Sequence, residues 1–106
     1  MELRLGDASA NPYLAIAGLL AAAYLGIRDE LAPPERLEGY GYDPSKAEKL
    51  PGDLETALHA LEEDTEIVRI LGEPFVKTFL TYKRNELERF SHWVTDWEFR
   101  EYAYHL

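Results

Sequence analysis

The sequence predicts a mainly α-helical chain with one short leading strand. Three observations carry this. Every residue over 13–27 is apolar or glycine, apolar residues return with helical spacing from Leu54 and again from Val76, and capping residues stand at the head of these stretches. A length of 106 residues suits one domain with a modest core, and 46% hydrophobic with 29% charged residues is a globular composition.

Residues 1–10 read as strand and turn. Glu2-Leu3-Arg4-Leu5 alternates polar and apolar and runs into Gly6-Asp7. So short a strand is not stable alone and needs neighbours that these residues do not supply. Residues 11–32 read as a buried helix. Asn11 can accept from an unpaired backbone N–H, and Pro12 fits the first helical position, where no donor is needed. The apolar run behind them is shorter than the roughly 20 residues a membrane span requires. A helix apolar on every side has to be covered on every side. The change to Arg28-Asp29-Glu30 marks its emergence into solvent, and Pro33-Pro34 ends it.

Glycine and proline clusters make residues 33–52 a loop, and residues 53–106 read as helical. Asp53 caps a helix whose apolar face is Leu54, Ala57, Leu58 and Leu61. A shorter helix is expected over 65–71, closed by Gly72. Pro74 opens a long one, with Val76, Phe79, Leu80, Lys83, Leu87 and Phe90 on one stripe and an Arg84/Glu88 pair on its wet side. Thr95 and Glu98 form a capping box for a last helix running from Asp96 to the end, with Trp93 and Trp97 as packing anchors. A leading strand without a sheet, beside a helix apolar all round, suggests a segment belonging to something larger.

Charge limits the partners. With 20 Asp and Glu against 11 Lys and Arg the net charge is −9, which repels nucleic acid and anionic membranes. The acidic residues are dispersed rather than gathered in a tail, which fits solubility in a reducing cytoplasm. No cysteine is present, so disulfides, thiolate metal sites and a cysteine nucleophile are excluded. The opening residues do not have the pattern of a signal peptide.

From the residues alone no active site is complete. Glu55 and His59, four apart on a helix, could share a metal, but no further ligand is placed and an exposed helix pair accounts for them. Gly39-Tyr40-Gly41 is too short to cradle a phosphate. Ser9, Ser45 and Ser91 have no evident base beside them. Glu2 and Arg4 would lie about 7 Å apart on one strand face. A carboxylate there suits a hard cation and a guanidinium suits a carboxylate or phosphate, although a surface ion pair explains the same two residues.

The stretch from Glu2-Leu3-Arg4 through Asp7 to Ala10-Asn11-Pro12-Tyr13-Leu14 resembles the end of the catalytic domain of glutamine synthetases. There an E-x-R strand turns into A-N-P-Y-L and an alanine-rich helix ending near Gly-Ile, here Gly26-Ile27. Further matches follow in order: Pro33-Pro34-Glu35, Tyr42-Asp43-Pro44, Leu50-Pro51, then Phe75-Val76 leading to Tyr82-Lys83-Arg84-Asn85-Glu86. The ending around Trp97 looks more like the branch of γ-glutamyl-polyamine synthetases and related γ-glutamyl ligases.

The resemblance implies that the chain is the helical C-terminal segment of an α+β catalytic domain. It implies an ATP-dependent ligase that joins glutamate to ammonia or an amine through γ-glutamyl phosphate, using Mg²⁺ or Mn²⁺ ions. By position it makes Glu2 a metal ligand and Arg4 a contact for glutamate and the transferring phosphoryl group. Tyr42 falls near a tyrosine that is adenylylated in some bacterial members, but Gly39-Tyr40-Gly41-Tyr42-Asp43-Pro44 departs from the usual surroundings. One metal carboxylate and one arginine do not make an ATP site, so the isolated chain is expected to be inactive and to bind neither ATP nor metal tightly. Its uncovered helix predicts self-association or docking to other parts of the ligase. A second reading is a stand-alone truncated homologue that docks onto a complete ligase as a regulatory module. The third is a helical domain unrelated to ligases.

Overall fold

A computed structural model describes residues 5–6, 8–41 and 49–105. All regular structure among them is helical: α1 (Pro12–Arg28), α2 (Leu54–Glu63), α3 (Thr65–Leu71), α4 (Glu73–Ser91) and α5 (Asp96–Tyr102). Of the strand expected at residues 2–5, only Leu5 falls among the described residues, and it is exposed.

Local chemistry sets most of the ends. The Asn11 side chain accepts from the backbone N–H of Tyr13 at 3.0 Å and Leu14 at 3.3 Å, and Pro12 takes the first helical position. Asp53 accepts from Thr56 N–H at 2.7 Å to start α2, and Asp64 accepts from Ile67 N–H at 3.0 Å to start α3. Gly72, with φ 92°, stands between α3 and α4 in the left-handed half of backbone space, where a side chain would strain the chain. At α5 both halves of the Thr95/Glu98 capping box form.

The C-terminus of α1 is less well served. Glu30 N–H donates to Ile27 at 3.3 Å and Leu31 N–H to Gly26 at 3.0 Å, the two bonds that close a helix through a left-handed residue. That residue is Glu30, with φ 51°. A glutamate pays steric strain there and sets negative charge at the negative end of the helix. Glu30→Gly is therefore expected to raise stability by about 1 kcal/mol, read as a higher thermal midpoint by circular dichroism. An unchanged or lower midpoint would contradict this account of the α1 terminus.

The core lies among α2, α3 and α4. Leu58, Val76 and Leu80 are buried, and Leu61, Val68, Leu71 and Phe79 pack against them. Helical spacing brings Leu58, Leu61, Val76, Phe79 and Leu80 to this cluster, whereas Leu54 and Ala57, expected on the same face of α2, are exposed. Farther along that stripe the packing stops: Lys83 is half-buried and Phe90 is exposed.

Three expectations are corrected. The α1 helix is not buried. Among the described residues it packs on α3, with Ala21 its one buried residue, and no other helix covers its remaining faces. Trp93 and Trp97 are 72% and 60% exposed rather than anchoring, since among the described residues α5 packs on no other helix, and the Trp97 ring meets Tyr102 edge to face at 6.1 Å. The last helix stops at Tyr102 instead of running to the end. The radius of gyration, 18.2 Å, reflects this openness, since a compact domain of 100 residues has about 13 Å.

Candidate functional site

Glu2, Arg4 and Tyr42, the residues singled out for metal, substrate and modification, lie outside the described residues. The chemistry that the structure does place is of two kinds, an apolar groove and a set of ion pairs between helices.

The groove is a cavity of about 300 Å³ between α1 and the α2–α4 body. Leu14 and Gly18 of α1 face Ile67 and Leu71 of α3 and Phe75 and Phe79 of α4. Phe75 and Phe79 stack at 6.3 Å, one turn apart. A pocket that selects a substrate needs a few placed polar groups among its apolar walls. The lining residues here offer none, so the groove can hold another apolar surface but has no group to orient a reacting molecule.

Two of the ion pairs join different helices, Arg28 with Glu66 and Arg84 with Glu62. Arg28 donates through Nε and Nη2 to the two Asp29 carboxylate oxygens at 2.6 and 2.8 Å, and through Nη1 to Glu66 on α3 at 2.7 Å. Arg69 donates to the same Glu66 oxygen at 2.8 Å. Arg84 of α4 grips both oxygens of Glu62 on α2, at 3.2 and 2.5 Å. This replaces the expected Arg84/Glu88 pair: a carboxylate on a packed neighbour lets the planar guanidinium bind two-pronged. Sequence spacing gave no sign of it, because only pairs within one helix have a readable period.

His59 lies 3.9 Å from Glu63, one turn onward, and both are exposed. That is a loose helix-surface contact. Among the described residues no three His, Asp or Glu side chains gather in a way that could hold a metal ion.

The titrations fit structural roles. The hydrogen bond from Arg84 holds the Glu62 carboxyl below the usual range, and the bond from Arg28 does the same for Glu66. Asp53 and Glu98 are lowered by the capping bonds to Thr56 and Thr95. Catalytic groups are typically perturbed by burial in a cleft, and in all four carboxylates burial pushes the other way and loses.

Carboxylates ionised more readily in the folded state contribute stability above their unfolded pKa, and that stability is lost as pH falls through the folded value. Unfolding is therefore expected to set in below about pH 4.3, the ordinary glutamate value. The acid limb, followed by circular dichroism, should be shallower in Glu62→Gln and Glu66→Gln. An acid limb identical in both variants would remove these pairs from the account.

Among the described residues no helix is long and apolar enough to cross a membrane. The family model for the glutamine synthetase catalytic domain matches residues 1–102. The glutamine synthetase of Thermotoga maritima is 35% identical over 111 aligned residues, which take in 98% of this chain and 25% of that protein. The glutamate–methylamine ligase of Methyloversatilis universalis is 40% identical, over 96% of this chain and 24% of its own length. Human lengsin is 40% identical over 83% of this chain and 18% of its own length. The chain thus spans about a quarter or less of the length of these curated relatives.

Proposed function

Because the chain belongs to the glutamine synthetase family, we propose that it is the helical part of an ATP-dependent ligase that joins glutamate to ammonia or an amine. The observation that carries this is the match over residues 1–102, which takes in both the Glu2-x-Arg4 opening and the Ala10-to-Leu14 helix start. Relatives named glutamine synthetase and glutamate–methylamine ligase match at similar identities, 35% and 40%. Their agreement supports the product class, a γ-glutamyl amide, over any one amine.

In this reading Glu2 supplies one carboxylate to a divalent cation and Arg4 grips the glutamate or phosphoryl oxygens with two parallel N–H donors. Those two residues do not by themselves fit Mg·ATP. A hard cation of this kind requires about six oxygens in fixed geometry, and the described residues add no second cluster of ligands. The described helices serve as scaffold. Asn11 and Pro12 fix where α1 begins, ten residues or fewer after Glu2 and Arg4 in the chain. The uncovered faces of α1 and α5 support a chain that works against further ligase structure. A cysteine-free, acidic composition fits the cytoplasm.

The test is phosphate release dependent on ATP and glutamate. The purified chain of 106 residues is expected to give none above its Glu2→Ala variant. Release that the substitution abolishes would overturn the claim of inactivity.

A further inference from the structure

The α1 helix is held toward one end. From Pro12 to Ala17 every residue is exposed, Gly18, Leu19, Leu25 and Gly26 are half-buried, and Ala21 is buried against α3. Beside Gly18 the helix stands off its neighbours across the groove, where an added Cβ would meet nothing within 4 Å.

The polar tie lies at the other end. Among the described residues, Arg28 to Glu66 is the one hydrogen bond that joins α1 to another helix, at 2.7 Å. Its geometry is prepared on both sides. Asp29 takes the bonds from Nε and Nη2 of Arg28, which leaves Nη1 for Glu66, and Arg69 donates to the same Glu66 oxygen from the next turn of α3. A planar guanidinium fixed by a two-pronged bond has few other ways to point.

A helix gripped near its C-terminus and free near its N-terminus is a lever. At about 1.5 Å per residue, Arg28 lies about 10 Å from Ala21 on one side and Pro12 about 14 Å from it on the other. A shift of about 1 Å at Arg28 thus becomes about 1.3 Å at the head of α1. In the sequence Arg4 and Glu2 stand eight and ten residues before that head. Displacements of this size are costly in a preorganised site. About 1 Å can lower a rate on the order of 10²-fold, even when the change lies far from the chemistry.

We propose that Arg28 and Glu66 are positioning residues, a pair that sets the angle of α1 and, through it, the placement of Glu2 and Arg4. The second step rests on the ligase reading; the first does not. Half-exposed ion pairs contribute little to stability, so this one steers the helix more than it holds the fold together.

Two measurements separate the steps. On the chain of 106 residues, which has no cysteine, nitroxide labels at Tyr13→Cys and Asn85→Cys report the distance from the head of α1 to α4. Both sites are exposed. The distance distribution should be narrow with Arg28 and Glu66 in place. It should be about twice as wide in Glu66→Gln, in Arg28→Gln and in about 1 M salt, where the screening length falls to about 3 Å. Glu62→Gln, which breaks the pair between α2 and α4, should leave it narrow. The second measurement uses a chimaera of the Thermotoga maritima glutamine synthetase with this chain in place of its matching quarter. There Arg28→Gln, Glu66→Gln and the double variant should each lower kcat of the folded enzyme by roughly 10–10²-fold, the double no more than either single. A pair that merely stabilised the fold would lower the thermal midpoint and leave that kcat unchanged.

A Glu66→Gln distribution as narrow as that of the unmodified pair would overturn the lever. Widened distances with unchanged kcat would show that other ligase structure fixes α1, and would overturn the positioning role. A folded chimaera that releases no phosphate would overturn the ligase reading and the role that rests on it, while the distances decide the lever by themselves.

Discussion

Leu58→Ala is expected to cost about 2–5 kcal/mol, the range for removing a buried leucine side chain and leaving a cavity behind it. Leu58 is 3% exposed and packs with Val76 and Leu80, so its loss opens the apolar cluster that joins α2 to α4. Domains of this size hold together by only about 5–15 kcal/mol. The core here is small: Ala21, Leu58, Val76 and Leu80 are its buried apolar residues among those described. Thermal or urea unfolding should therefore show Leu58→Ala losing most of its cooperative transition. Phe90→Ala lies on the same stripe of α4 but is 68% exposed. It should stay within about 0.5 kcal/mol of the unmodified chain. Equal effects in the two variants would mean that the core has been placed wrongly.

That contrast shows what the sequence could and could not reveal. Helix starts were legible because their causes are local. Asn11 with Pro12, Asp53, and Thr95 with Glu98 are each complete within four residues, and the structure uses all of them. Coverage was not legible, because it depends on what else is near. The run over 13–27 says that α1 seeks cover but not whether cover is present. The same holds for Trp93 and Trp97, whose rings would anchor a packed helix and here face solvent. Arg84 shows the limit for charge: its partner Glu62 is 22 residues away, beyond any helical period. Glu2 and Arg4 alone were open to two readings, a surface ion pair or contacts for a cation and an anion, and only the resemblance of the motif around them favours the second.

The second large effect concerns Arg4. A chimaera in which these residues replace the matching quarter of the Thermotoga maritima glutamine synthetase adds the three quarters of ligase length that this chain does not span. Arg4→Ala in that chimaera should lower turnover on the order of 10²–10³-fold, the cost of deleting one preorganised donor to a charge-bearing transition state. Arg4→Lys should recover only part, because an ammonium keeps the charge but loses the two-pronged grip. Glu2→Ala should instead raise the metal concentration needed for half-maximal rate. Were both alanine variants to run at the unmodified rate in a folded chimaera, neither residue would belong to the site.

We propose that this chain carries part of a ligase site and, alone, none of its activity. Phosphate release dependent on ATP and glutamate, measured side by side on the isolated chain and on the chimaera, tests it most directly. Release is expected from the chimaera and none from the isolated chain. Release from the isolated chain that Glu2→Ala abolishes, or a folded chimaera that releases nothing, would contradict it.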